Sequence, residues 1–157
     1  MINLTKKLRD LIQGHNIEFK ELEHGPGQTC ESAAAERGEE LKIGGKTLLL
    51  KDKRGFNLFV LSAAKKADNN KIRKILKSQK LRFATKEELM ELIGVEKGAL
   101  PPFGRDLLPF DLYLDKSILD NDKIAFNAGV LTTSFILKVE DYLKLVDPII
   151  CQFSKEE

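Results

Sequence analysis

The chain has 157 residues, of which 42% are hydrophobic and 32% charged, and its formal net charge is +2. It contains neither an apolar run of transmembrane length nor a signal-peptide pattern at its N-terminus, so we predict a single-domain cytoplasmic protein without a membrane partner. Its two distant cysteines and two histidines exclude a disulfide framework and predict no structural zinc site, no other metal and no cofactor.

The N-terminal part of the chain predicts a helix, a strand and a second helix. Residues 3–14 place leucine and isoleucine side chains on one helical face, and residues 17–22 alternate apolar and charged residues as a strand does. After a Gly/Pro turn, Thr29 is a suitable N-cap for a short alanine-rich helix over residues 30–37.

The middle of the chain predicts a hairpin followed by short elements. Residues 46–51 and 56–61 are two strands separated by a four-residue turn, which indicates a β-hairpin. A basic helix capped by Asp68 follows. A short strand at 81–83 and a helix at 89–93, which a capping box opens, complete this part.

The C-terminal part begins with residues 98–106, whose two glycines and two adjacent prolines predict a stiff, ordered loop. The elements predicted after it are strands at 110–114, 123–126 and 131–137 and a helix at 139–146. Because strands and helices mix without strict βα alternation, we predict a mixed α/β (α+β) fold. We predict a single domain over residues 1–157, in which helices surround a curled mixed or antiparallel sheet.

Lys46 stands between two glycines and an unbroken apolar strand, in the sequence Gly44-Gly45-Lys46-Thr47-Leu48-Leu49-Leu50. The glycines remove side chains that would keep another backbone or a ligand away. A charge at the mouth of a buried strand is either a lysine that extends into water or a functional group. The residues alone leave both interpretations open.

Charge is distributed unevenly along the chain. The window from Lys65 to Lys86 holds nine basic residues and one acid, a net charge of +8, so the rest of the chain carries −6. Such polarisation suits a polyanionic partner such as a nucleic acid. A solvated lysine-rich helix is the alternative.

Other catalytic combinations are scarce in this sequence. A pair of Cys30 and His24 is conceivable, but a cysteine in an alanine-rich helix is more often buried packing. One lysine, glycine-bearing loops and a basic flank suit a site that positions a reactive substrate and stabilises its oxyanion. An aminoacyl ester on a tRNA end is such a substrate.

Three motifs occur in an order that resembles the YbaK family, the free-standing relatives of the editing domain inserted in bacterial prolyl-tRNA synthetases. The motifs are Lys46-Thr47-Leu48-Leu49-Leu50-Lys51-Asp52, then Pro102-Phe103-Gly104, then Asn127-Ala128-Gly129 with Thr132-Thr133 behind it. The resemblance extends from about His24 to the closing helix. Residues 101–105 and 124–129 are most similar to a subgroup of stand-alone deacylases, some of which act on seryl- or threonyl-tRNA.

The resemblance implies a trans-editing enzyme that deacylates mischarged tRNA, with tRNA and an aminoacyl-tRNA synthetase as expected partners. It implies that Lys46 is the key active-site residue and that Gly129 is a second catalytic residue. The predicted substrate-binding residues are Thr29, Pro102, Phe103, Gly104, Asn127, Ala128, Thr132 and Thr133. The predicted tRNA-binding residues, taken from the basic window, are Lys71, Arg73, Lys74 and Lys77. Many family members carry a proline shortly after the late glycine, whereas residues 130–133 here are Val-Leu-Thr-Thr, which predicts a more polar pocket.

The predicted mechanism is attack of water on the aminoacyl carbonyl. Backbone N–H groups near Gly129 hold the oxyanion, and Lys46 anchors the terminal phosphate or orients the substrate. Lys46 is not assigned as the general base, because an ammonium must lose its proton first. Two other classes stay open: a non-catalytic tRNA- or synthetase-binding module of the same fold, and a small-molecule-binding regulator whose lysine pairs with a carboxylate.

Overall fold

A computed structural model describes residues 3–26, 29–105 and 107–156 of the chain. Within these residues the helices are α1 (Leu4–Gly14), α2 (Cys30–Arg37), α3 (Asn69–Leu76), α4 (Lys86–Leu92) and α5 (Val139–Val146), with 3-10 helices at Leu41–Ile43 and Lys116–Asp120. The strands are β1 (Lys20–Glu23), β2 (Gly45–Asp52), β3 (Gly55–Ser62), β4 (Arg82–Phe83), β5 (Leu112–Asp115), β6 (Lys123–Asn127), β7 (Thr133–Lys138) and β8 (Ile149–Cys151). No helix among the described residues is long and apolar enough to span a bilayer.

The predicted helix caps are confirmed. Thr29 Oγ1 accepts the N–H of Ser32 at 3.0 Å, and the Asp68 carboxylate accepts two N–H groups at the start of α3. Thr85 and Glu88 form the predicted capping box of α4. These caps use side chains within three residues of the helix start, which is why the sequence shows them.

The predicted β-hairpin is also confirmed, since β2 and β3 pair in antiparallel register from Gly45–Ser62 to Asp52–Gly55. The mixed sheet has more strands than its sequence pattern indicates. β8, which the sequence did not predict, is a three-residue strand that pairs in parallel with β5. Its formation therefore depends on a distant partner rather than on local periodicity.

The mixed α/β architecture is as predicted, but the strands divide between two sheets rather than one. One sheet is antiparallel, in the order β1-β7-β6, and the other is mixed, in the order β4-β2-β3-β5-β8. A parallel bridge between Gly44 and Ala125 joins their edges. A Cβ on Gly45 would lie 2.8 Å from Ile124 Cδ1, so the glycine permits this close approach of β6.

The alternation of side chains along β2 separates the two larger hydrophobic clusters of the core. Leu49 and Leu58 face the larger hydrophobic cluster, which includes residues of α1, α5, β6 and β7. Leu50 and Phe59 face the opposite side, where α3 and Phe153 cover the five-stranded sheet. Sheet register therefore determines which side of the domain each functional side chain of β2 reaches.

The C-terminal segment is attached to the sheet by a buried carboxylate. Asp115, which is fully buried, accepts the N–H groups of Phe153 at 2.7 Å, Ser154 at 3.0 Å and Ser117 at 3.0 Å. Phe153 in turn fills the cluster beneath α3. One side chain thus joins β5, the following 3-10 helix and the end of the chain.

Candidate functional site

A cavity of about 810 Å³ lies where the edges of the two sheets approach each other. Its walls come from the start and inner face of α2, the first half of β2, the segment from β4 into α4, the loop after α4 and the end of β6. Its apolar lining includes Phe83, Ala84, Leu89 and Leu100. A concave site of this size with a few polar groups is suited to a small organic group.

The cavity is electrostatically one-sided. Its lining includes Arg37, Lys46, Lys86 and Lys97, and none of the described lining residues is acidic. Cations that line a concave surface raise the local concentration of anions. The structure therefore shows an anion-attracting cavity built from residues that lie far apart along the chain.

Lys46 lies at the head of β2, half-buried at the cavity wall. Its Nζ donates a hydrogen bond to the Lys65 carbonyl at 2.7 Å. Among the described residues this carbonyl is its only hydrogen-bond partner, so the ammonium keeps two further N–H donors for a ligand. The lysine is thus held in place rather than extending freely into water.

Thr47 follows Lys46 in β2, lines the same cavity and carries an unsatisfied hydroxyl. Its Oγ1 is buried and has no hydrogen-bond partner among the described residues. Buried polar atoms are nearly always hydrogen-bonded, and an exception at a cavity indicates a missing ligand group or water. Thr47 belongs to the Lys46–Asp52 motif, but the sequence gives it no role of its own, because it has the pattern of an ordinary strand residue.

Arg37 links the cavity to a polar network at the edge of the smaller sheet. Its Nε donates to Ser134 Oγ at 2.9 Å and its Nη2 to Asn127 Oδ1 at 3.2 Å. His24 Nε2 shares a 2.7 Å hydrogen bond with the same serine hydroxyl. Burial lowers the pKa of the Arg37 guanidinium, which has no carboxylate partner among the described residues. Sequence reasoning missed Arg37 because a single arginine at a helix end carries no motif.

Three of the residues predicted from the sequence meet in this cavity: Lys46, Thr29 and Asn127. Asn127 Nδ2 donates to the Gly98 carbonyl at 2.8 Å, which holds the loop after α4 against the end of β6. Thr29 contributes at the N-terminus of α2, where its hydroxyl also caps the helix.

Ala128 and Gly129 do not line the cavity. The Ala128 N–H donates to the Thr133 carbonyl at 2.9 Å and the Gly129 N–H to the Ala99 carbonyl at 3.0 Å, so both are already used. Gly129 has φ of 87°, and a Cβ there would lie 3.2 Å from the Leu4 side chain. This geometry makes Gly129 a packing position for α1, and we therefore do not carry the predicted oxyanion role to it.

The Pro102-Phe103-Gly104 loop also lies outside the cavity lining. The ring of Phe103 is buried against Phe126 and Tyr142, and the Pro102 carbonyl accepts the Tyr142 hydroxyl at 2.6 Å. A Cβ on Gly104 would lie 2.8 Å from the Phe110 carbonyl oxygen. The loop supports the core behind the cavity, so its predicted role as a pocket wall is indirect in this structure.

Thr132 and Thr133 likewise point elsewhere. Thr132 is exposed in the turn before β7, and the Thr133 hydroxyl donates to the Glu23 carboxylate at 3.0 Å. The neighbouring Ser134 is the hydroxyl that faces the polar network of Arg37. Strand alternation explains the difference, because successive side chains leave opposite faces of the sheet.

The four predicted tRNA-binding residues lie on α3 or just beyond it, away from the cavity. Lys71 Nζ donates to the Ser154 carbonyl at 3.1 Å, and Arg73 Nη1 donates to Asn70 Oδ1 at 2.9 Å. Lys74 and Lys77 are exposed. The described residues contain no group of three or more His, Cys, Asp or Glu side chains that could hold a metal ion.

Comparisons of the sequence and of the fold both find similarity to aminoacyl-tRNA editing proteins. Residues 24–145 match the family model described as the aminoacyl-tRNA editing domain. The chain is 32% identical over 155 residues to the multifunctional Ser/Thr-tRNA deacylase ProXp-y of Escherichia coli strain K12, covering 96% of this chain and 92% of that protein. It is 27% identical over 135 residues to the prolyl-tRNA editing protein ProX of Acetoanaerobium sticklandii, covering 83% and 82%. Its fold matches the crystal structure of a proposed trans-editing enzyme for prolyl-tRNA synthetase, with a TM-score of 0.84 at 23% identity and 99% of each chain covered.

Proposed function

The chain belongs to the aminoacyl-tRNA editing domain family, and we propose that it is an aminoacyl-tRNA deacylase that hydrolyses the ester of mischarged tRNA in trans. The observation that carries the proposal is the position of Lys46. The Lys65 carbonyl holds the Lys46 ammonium at the wall of a cavity, and none of the described lining residues is acidic. Such a cavity favours the phosphate and ester oxygens of a tRNA 3′ end.

The proposed reaction uses the substrate's own reactivity. Lys46 anchors the terminal phosphate, and a water attacks the aminoacyl carbonyl. The bond to the ribose oxygen breaks, a proton from the water passes to that oxygen, and free amino acid and tRNA leave. None of the described lining residues is Asp, Glu or His. We therefore assign assistance of the water to the neighbouring 2′-hydroxyl of the terminal ribose.

We propose seryl- and threonyl-tRNA as the substrates. The E. coli relative is named for this class, and Thr47, which lines the cavity, carries a buried hydroxyl that lacks a partner among the described residues. A site that pairs its buried polar groups with a substrate hydroxyl discriminates strongly against an analogue without one. Alanyl- and cysteinyl-tRNA would leave Thr47 unsatisfied.

The test is deacylation of Ala-, Cys-, Ser- and Thr-charged tRNA by the wild type and by Thr47→Val. The wild type is expected to hydrolyse the Ser and Thr esters fastest. The variant keeps the side-chain shape and removes an unsatisfied hydroxyl, so its stability should be unchanged or slightly raised. Its decrease in activity, roughly tenfold, should be confined to the Ser and Thr esters. An equal decrease across the panel would instead assign Thr47 to the oxyanion, and no decrease would remove it from the site.

The basic residues on α3 are proposed to contact the tRNA body while the cavity holds its 3′ end. Replacing Lys71, Arg73, Lys74 and Lys77 together by glutamine should raise KM and leave kcat nearly unchanged. The slope of log affinity against log salt should also become shallower by about 1 for each phosphate that these side chains bind in the wild type.

A matched control for this variant replaces four exposed lysines outside the basic window, at Lys7, Lys20, Lys138 and Lys144. If the control and the α3 variant show the same decrease in affinity, the effect is one of net charge and α3 does not contact the tRNA. Salt-sensitive tRNA binding without ester hydrolysis at any enzyme concentration would favour the non-catalytic binding module. Binding of a small carboxylate without tRNA affinity would favour the regulator.

The proposal also includes a cellular location and a second partner. A deacylase that corrects charging errors is expected in the cytoplasm, where tRNA is charged. An aminoacyl-tRNA synthetase is the second partner suggested by the family resemblance, and a rise in kcat/KM on addition of the matching synthetase would support it.

A further inference from the structure

Phe83 is the one phenylalanine of the nine in the chain that is exposed. Its side chain is 50% exposed, whereas the other eight are buried or half-buried, and all nine lie in the described ranges. The ring has no aromatic partner within these ranges, and Phe83 belongs to none of the three hydrophobic clusters that these residues form. Folding of the core therefore does not account for an aromatic residue at this position.

The backbone that carries Phe83 is nevertheless firmly held. β4 pairs with Leu50 and Lys51 of β2, and the next residue, Ala84, donates its N–H to the Leu49 carbonyl at 2.9 Å. On the other side, Arg82 forms a two-point ion pair with Glu88, with distances of 2.7 and 3.0 Å. The ring is thus presented on a fixed support at the sheet edge, which lowers the entropy cost of binding a flat partner.

The surroundings of Phe83 indicate the chemistry of that partner. Phe83 lines the same cavity as Lys46, Lys86 and Lys97. An exposed aromatic ring in a cationic groove is the arrangement with which proteins bind single-stranded nucleic acid, because the ring stacks on a base while the cations contact the backbone. An apolar protein partner would not call for the surrounding positive charge.

We propose that Phe83 is a stacking platform for the terminal base of an unpaired tRNA 3′ end, with Lys86 contacting its phosphates. This inference rests on the proposed function and extends it, since it gives the enzyme a base-recognition subsite beside the ester. The platform holds the base at the cavity mouth while the acylated ribose enters toward Lys46.

The test uses a short RNA with the tRNA 3′ sequence and 2-aminopurine as its terminal base, whose fluorescence is quenched when it stacks. The wild type and Phe83→Trp should quench the probe, and Phe83→Leu should not. For deacylation, Phe83→Leu should raise KM roughly tenfold and leave kcat nearly unchanged. Met90→Ala, which changes an exposed apolar residue of α4 outside the cavity lining, is the matched control.

A second arm separates stacking from simple apolar contact. Removing the terminal base from the acylated tRNA should raise the wild-type KM by the same factor, and should have no further effect on Phe83→Leu. Quenching by Phe83→Leu equal to that of the wild type, or additive effects in this cycle, would overturn the platform. Because quenching does not depend on hydrolysis, the platform can fail while deacylation stands, or stand while deacylation fails.

Discussion

Lys46→Ala is expected to lower kcat/KM for deacylation by about 10²–10³-fold, which corresponds to about 3–4 kcal/mol of transition-state stabilisation. The variant removes an ammonium that is held at 2.7 Å from the Lys65 carbonyl and has two N–H donors left for the substrate. Charge-assisted hydrogen bonds to phosphate or ester oxygens are about twice as strong as neutral ones. The decrease should be measured under single-turnover conditions, so that chemistry is separated from product release.

The control for this variant is Lys51→Ala on the same strand. The Lys51 ammonium lies 5.3 Å from the centroid of the Phe56 ring and does not line the cavity. Its replacement should leave kcat/KM unchanged. Lys46→Ala should lower the free energy of unfolding by no more than about 1–2 kcal/mol, because it removes a single half-buried hydrogen bond. Wild-type activity in Lys46→Ala would remove this lysine from the mechanism.

Asp115→Ala is expected to lower the free energy of unfolding by about 3–5 kcal/mol. The substitution leaves three buried N–H groups, those of Phe153, Ser154 and Ser117, without their acceptor. It also releases the C-terminal segment that places Phe153 beneath α3. Denaturant unfolding measures the change. Asp111→Ala is the control, because Asp111 is exposed and its ion pair with Arg105 lies at the surface.

The same carboxylate predicts a pH dependence. Burial raises the pKa of Asp115, but hydrogen bonds from Ser117, Phe153 and Ser154 outweigh this effect and hold the pKa below its usual value. The unfolded chain therefore binds a proton more readily than the folded one, and the stabilisation is complete above the unfolded pKa of about 3.9. It should be lost as the pH falls through the lower pKa of the folded state. A difference in stability between wild type and Asp115→Ala that stays constant over this acid range would contradict the assignment.

Local features of the fold were well predicted from the sequence. The caps at Thr29, Asp68 and Thr85 and the hairpin of β2 and β3 all depend on residues within a few positions of one another. Their hydrogen bonds and periodicities are therefore written into short windows of sequence. β8 escaped prediction because its three residues follow Pro148 and are ordered mainly by pairing with β5.

The candidate site was predicted in part. Lys46, Thr29 and Asn127 do line the cavity, whereas Phe103 is packed in the core and the Gly129 N–H is already bonded to Ala99. A motif marks a segment that matters to a fold or a site, and it does not say which of the two. For Pro102-Phe103-Gly104 and Asn127-Ala128-Gly129, contact with the core and contact with a ligand produce the same pattern in the sequence.

The sequence by itself determined most of the elements and the family, and it predicted a role for Lys46, because these follow from local periodicity, caps and motif order. Only the tertiary structure decided that Arg37, Lys86 and Lys97 share a cavity with Lys46, that Thr47 Oγ1 lacks a partner among the described residues and that Phe83 is exposed. These properties depend on how two sheets meet at Gly44 and Ala125 and on which face each strand residue occupies. Which side chains share a cavity and which are buried is decided by long-range packing, and no short window of residues encodes that packing.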